Sequence, residues 1–248
     1  MTLRKALLLG LAAFLLALLI VLPASWMAAF LPESIRCAQW RGSIWRGQCQ
    51  ELTLSNGQKV VMKLTSLQWK LQPTTLLRLS IGAGFHSAWP QGEAAGSVQV
   101  KPGGHIVVRD MRGSSQLDRS FFGALPEGWQ GHIDIRDFEL DWSSSNIGHL
   151  GGELLVSNLV DRRGVVLGGY RLAFPPGSTS PYEGELSDTG GPVEVQAKVQ
   201  LTADQSWTLE GRMRARDAGD RRLAQGLDML SSPDASGWRR LSAAGQFR

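Results

Sequence analysis

Cysteine is nearly missing from this chain of 248 residues, which holds two, Cys37 and Cys49. The four histidines, His86, His105, His132 and His149, stand in separate segments, so no pair has the spacing a zinc site needs. No Gly-x-Ser-x-Gly elbow occurs, and the glycines around residues 82–84 lack the Lys and Ser or Thr of a phosphate loop. Nothing in the sequence therefore nominates a catalytic residue, a cofactor or a metal, and the chain reads as a non-enzyme. A dense block of one charge is also absent. The 26 basic and 22 acidic residues are scattered along the chain, leaving a net charge of +4 without a nucleic-acid footprint. Charged residues at 19% against 43% apolar exclude a disordered composition.

What is present begins at the N-terminus. Behind Arg4 and Lys5 runs an uncharged apolar stretch over residues 6–22, and apolar character resumes after Pro23 with Trp26, Met27, Phe30 and Leu31. Such a run can span the ~30 Å hydrocarbon core of a bilayer. The two preceding cations hold the N-terminus in the cytoplasm and export the remainder of the chain. The expected division is residues 1–31 as cytoplasmic start and transmembrane anchor, and residues 32–248 as an exported β-rich domain. A cleavable signal peptide, processed near Pro23, Ala24 and Ser25, stays open as the alternative.

In an exported domain Cys37 and Cys49 are expected to pair as a disulfide. A hairpin turning near Ser43 would set Cys37 opposite Cys49 and Trp40 opposite Arg46, adding a cation-π contact. Beyond it, strand signals dominate. Residues 50–54 and 60–64 alternate around an Asn56-Gly57 turn, and Leu67, Trp69 and Leu71 alternate until Pro73 stops the strand. Residues 76–81 read as another strand, with Leu77, Leu79 and Ile81 on one side, closed by Gly82 and Gly84. Further strands are expected over 97–100, 105–109, 131–142, 153–160, 165–174, 182–186, 192–203, 207–215 and 238–247.

In the 131–142 strand the apolar set changes phase near Asp137, which predicts a bulge. Residues 131–138 also recur faintly as 152–159, a glycine and a short strand followed by Asp or Asn and an apolar residue. Short helices are expected over 117–125 and 220–231. The fold class is thus mainly β, an antiparallel meander forming a curved, open sheet, with 29 glycines to supply the turns.

Two charged arrays remain. Asp137, Glu139 and Asp141 share a strand face, which reads as solvated sheet surface. Arg212, Arg214 and Arg216, with Arg221 and Arg222 nearby, form the one local basic concentration. For the first three, a partner or phospholipid contact is the functional reading and a solvated face the plainer one.

Gly42, Trp45 and Gly47 shortly after the anchor, then Trp69, Leu71 and Pro73, make a Gly-x-x-Trp-x-Gly element followed by a Trp-x-Leu-x-Pro element. In these motifs and in its layout the sequence resembles the type II secretion system protein N family. The resemblance implies a non-catalytic, single-pass component of the bacterial inner membrane with a periplasmic domain. It implies partners among the inner-membrane platform proteins of the secretion machine and the outer-membrane secretin complex. The cysteine pair is not part of that resemblance. The meander is also similar to AsmA-like periplasmic proteins, which implies the alternative of a lipid-binding or lipid-transfer protein with an apolar β-groove.

Overall fold

The computed structural model describes residues 10, 11, 13, 14, 17, 18, 20–29, 31–56, 59–117, 128–143, 146–217, 220–228 and 231–246. Alternating apolar and polar residues cut by turn residues are most simply satisfied by successive hairpins, because each strand then pairs with its chain neighbour. The strands are β1 (Ile35–Gly42), β2 (Arg46–Asn56), β3 (Lys59–Gln72), β4 (Ile81–Trp89), β5 (Gly92–Lys101), β6 (His105–Gln116) and β7 (Gln130–Trp142). They continue as β8 (Ile147–Val160), β9 (Val166–Ser178), β10 (Tyr182–Asp188), β11 (Val193–Leu201), β12 (Ser206–Ala215) and β13 (Arg239–Gln246). All 13 form one antiparallel sheet in strict chain order, with β1 and β13 at its open edges. Odd-numbered strands run toward one end of the sheet, the near end, and even-numbered strands run back.

Among the described residues two short helices interrupt the meander, α1 (Pro73–Leu76) at the near end and α2 (Arg221–Asp228) at the far end. A 3-10 helix, Ala24–Ala29, packs along β1 and buries Ala24, covering part of that edge. The described residues among 10–21 are helical. Among the described residues no helix is long and apolar enough to cross a membrane, and much of the stretch expected to be the anchor lies outside them.

The core lies mainly on one face. Val193, Val195, Ala197 and Leu201 of β11 are buried at alternate positions, and Leu223 and Leu227 of α2 close over the far end of this face. Near the other end Tyr182 is fully buried among Leu150, Leu201 and Phe174, its hydroxyl donating to the Ile147 carbonyl. The opposite face carries polar pairs such as Arg112 with Asp137 and Arg171 with Glu153, the solvated surface expected of half-exposed strands.

The bulge expected at Asp137 is present. Asp137 has φ +47°, and the β7–β8 register shifts beside it. Asn158, its counterpart in the faint recurrence, has φ +51° in β8, and Asp110 has φ +50° in β6. These are left-handed positions that Asp and Asn tolerate better than other side-chain residues. Each extra residue resets the alternation, so that Ile133 before the bulge and Phe138 and Leu140 after it all join core clusters.

Three expectations are corrected or fall elsewhere. Residues 76–81 are not a strand: α1 and a turn occupy 73–79, β4 begins at Ile81, and Gly82 and Gly84 lie inside it. The first hairpin turns between Ile44 and Trp45, so Cys49 faces Trp40 and Cys37 faces Leu52, a shift of three positions from the expected pairing. The 117–125 helix falls almost wholly outside the described residues, of which only Leu117 is seen, buried.

Candidate functional site

At the near end the first three strands meet. Gly42 pairs with Gly47 across the hairpin, with φ +84° at Gly42 and the Ser43 N–H donating to the Arg46 carbonyl at 2.9 Å. Gly47 in turn faces Trp69 on β3. A Cβ on Gly47 would fall 2.3 Å from the Trp69 ring, so the ring lies directly over that glycine. Its indole N–H donates to the Ile44 carbonyl at 2.9 Å, and the Leu71 N–H donates to the Trp45 carbonyl at 2.8 Å. Trp40 meets Trp69 edge to face, with centroids 5.9 Å apart and planes at 73°. The two sequence elements are therefore one structure: Gly42, Trp45 and Gly47 form the turn that Trp69 and Leu71 close. Pro73 comes next as the first residue of α1, where its missing N–H costs nothing.

The disulfide is formed. Cys37 and Cys49 are joined across β1 and β2 with Cα atoms 5.9 Å apart, although neither faces the other in the ladder. Cys49 is buried with Leu52 and Leu64, so the bridge ties the edge strand into the first core cluster. The ring expected opposite Arg46 instead packs on Trp69.

Beside this corner the connection from β3 to β4 is organised by Thr75. Its carbonyl accepts from the Ser80 hydroxyl at 2.9 Å and from the Arg78 N–H at 3.0 Å, while its hydroxyl accepts from the Gly82 N–H at 2.9 Å. Ser80 is buried and also accepts from the Gln99 side chain at 2.7 Å. Around this polar hinge Leu76, Leu77 and Leu79 are exposed, and Leu79 has a φ of +53°.

At the far end a cavity of about 870 Å³ lies between α2 and the sheet, with Trp129, Tyr170, Val193, Met213 and Leu227 in its wall. The Tyr170 hydroxyl donates to the Leu167 carbonyl at 2.8 Å. Burial, aided by the Asp188 charge, pushes its pKa up to about 12. The Asp220 carboxylate accepts from the Leu223 N–H at 3.1 Å and caps α2. Buried Arg239 is paired with Asp228 at the other end of that helix.

Arg212, Arg214 and Arg216 alternate with buried Met213, as the pattern predicts, and share the polar face. Each has a partner in the chain: Arg212 donates to Gln196 at 2.8 Å, Arg214 to Glu194 at 2.8 Å and Arg216 to Asp188 at 2.6 Å. The Trp238 ring lies over the first two guanidinium groups, at 4.3 and 4.4 Å. The histidines lie apart, His86 near Glu93, His105 near Asp141 and His132 near Asp134. Among the described residues no group of three side chains could hold a metal ion.

Two features escape the sequence reading. The exposed leucines share the spacing of a strand face, and only the Pro73-Thr74-Thr75 cluster ahead of them signals a turn. The far-end cavity joins residues from Trp129 to Leu227, and no local pattern announces it. Compared with known families, the chain matches the one described as type II secretion system (T2SS), protein N, over residues 33–242. No curated protein and no solved structure matches it.

Proposed function

The chain belongs to the type II secretion system protein N family, and from that membership we propose a non-catalytic inner-membrane component that assists assembly or operation of the machine exporting folded proteins. The observation that carries this reading is the extent of the match, which begins just ahead of β1 and ends inside β13, so that it takes in twelve strands whole and the first half of the last. In this reading the cytoplasmic start and the single membrane span lie within residues 1–31, and residues 32–248 are periplasmic. The apolar run behind Arg4 and Lys5 supports the span, as do the exposed side chains of Leu11, Phe14, Leu18, Ile20 and Val21 on described helical residues. The partners are the inner-membrane platform proteins and, further out, the secretin complex.

Deletion of the chain tests this proposal through secretion of a folded periplasmic substrate. Secretion should fall and return on complementation, whereas unchanged secretion would sink the reading. A second reading, lipid handling, has the far-end cavity in its favour, since its wall is largely apolar and its volume suits an acyl chain. Phospholipid retained through purification and lost when Met213 is replaced by Glu would support that role.

A further inference from the structure

The near end of β1–β5 combines three properties that water alone does not explain. The first is exposed apolar surface: Leu77 and Leu79 are 88% and 81% exposed, Leu76 and Ile81 47% and 57%, and Val100, paired with Ile81, 43%. Apolar side chains gathered in this way mark an interaction surface. They are not on a slack loop, because the Thr75 and Ser80 hydrogen bonds hold the backbone around them and fix Leu79 in a left-handed conformation disfavoured for Leu.

The second property is charge of one sign. Residues 41–46, 70–82 and 98–105 carry Arg41, Arg46, Lys70, Arg78 and Lys101 and no Asp or Glu. Arg46 and Lys70 stand directly opposite one another on β2 and β3. Like charges so placed repel unless an anion lies between them.

The third is position. The apolar helix ends at this corner, where the Ile44 N–H donates to the Leu22 carbonyl at 3.0 Å and Pro23 bridges to Ser43. Leu22 and Pro23, at the end of the apolar run, thus touch the first hairpin directly.

We propose that this end of the sheet lies flat on the bilayer surface that receives the anchor. Leu76, Leu77 and Leu79 enter the boundary between headgroups and acyl chains, and Arg46, Lys70, Arg78 and Lys101 meet anionic lipid phosphates. The proposal rests on the single-span reading, which brings this end to the membrane. Lipid is the occupant that fits, because the cations of these segments have no acidic residue among them and the end of the apolar run contacts this same corner.

The test uses the full chain in vesicles of phosphatidylethanolamine and phosphatidylglycerol, with an environment-sensitive fluorophore on Leu77→Cys and, separately, on Arg162→Cys at the far end. Brominated lipid should quench the probe at 77 several-fold more than that at 162, and the double change Arg46→Glu, Lys70→Glu should remove most of the difference. A chain that resists carbonate extraction yet shows equal, weak quenching at both sites overturns the docking and leaves the span intact. A chain released by carbonate but still quenched at 77 overturns the span and leaves the docking. In cell envelopes, a probe at 77 shielded from aqueous quencher but untouched by brominated lipid would assign the surface to a protein and overturn the proposal.

Discussion

Replacing Gly47 by Ala should destabilise the domain by more than any other single methyl added at the near end away from the hairpin glycines. The new Cβ would sit 2.3 and 2.9 Å from two atoms of the Trp69 ring and 2.7 Å from the Ser43 carbonyl oxygen. Carbon atoms pack at about 3.5–4.0 Å, so the ring must withdraw by about 1 Å or more. Withdrawal breaks the indole hydrogen bond to Ile44, a loss of about 1 kcal/mol, and disturbs the edge-to-face contact with Trp40, worth about 0.5–1.5 kcal/mol. Overpacking alone costs about 1–3 kcal/mol. These contributions overlap, and a total of about 2–4 kcal/mol is expected. Guanidinium unfolding followed by far-UV circular dichroism measures it, with the Trp69 indole N–H resonance as a local reporter. In a Trp69→Ala background the same glycine change should cost much less, because the clashing ring is gone. A single-variant loss below about 0.5 kcal/mol with the indole resonance unmoved would refute the reasoning.

Reducing the Cys37–Cys49 disulfide, or replacing both cysteines by Ala, should lower stability by about 3 kcal/mol from chain entropy; a denaturation midpoint unchanged by reductant would contradict this. The only tyrosines, Tyr170 and Tyr182, both have raised pKa values, Tyr170 to about 12, chiefly through burial. Their neutral forms favour the folded state, so this stabilisation is complete below about pH 10 and is lost as pH rises through the folded values. Absorbance at 295 nm should show tyrosinate appearing later in the native than in the unfolded chain, and coincident curves would disprove the burial argument. At the bulge residue Asn158, Gly should be tolerated or stabilising by up to about 1 kcal/mol, whereas Val should cost about 1–2 kcal/mol; thermal melts of the two variants compare them, and equal melting temperatures would count against a left-handed backbone there.

The sheet was legible because its rule is local. Alternation marks most strands of β5–β13 near their observed positions, and the phase change at Asp137 locates a bulge because a period of two cannot slip without exposing Ile133 or Phe138. Even the faint 131–138 and 152–159 recurrence has a physical source, two adjacent strands bent at Asp137 and Asn158. The first hairpin misled because a disulfide requires only neighbouring Cα atoms, not ladder partners. Its register is set instead by Gly42 and Gly47, which must face each other so that Trp69 can lie over the latter. The leucines after Pro73 misled because exposed turn residues can share the spacing of a buried strand face. The far-end cavity joins the turn after β8, strands β9, β11 and β12, and α2, a distance along the chain that no window of sequence reports.

The strict chain order of the strands has a consequence for how such a domain comes into being. A chain delivered N-terminus first through a narrow channel meets no strand whose partner is still to come, except the one now emerging. The first hairpin can form and acquire its Cys37–Cys49 bridge while later segments are still in transit. Each arriving strand then finds a ready template in the last edge, and the closure entropy of long loops is never incurred. The sheet is then laid down sideways, strand by strand from the first hairpin, like planks in a fence, with β13 as the final plank.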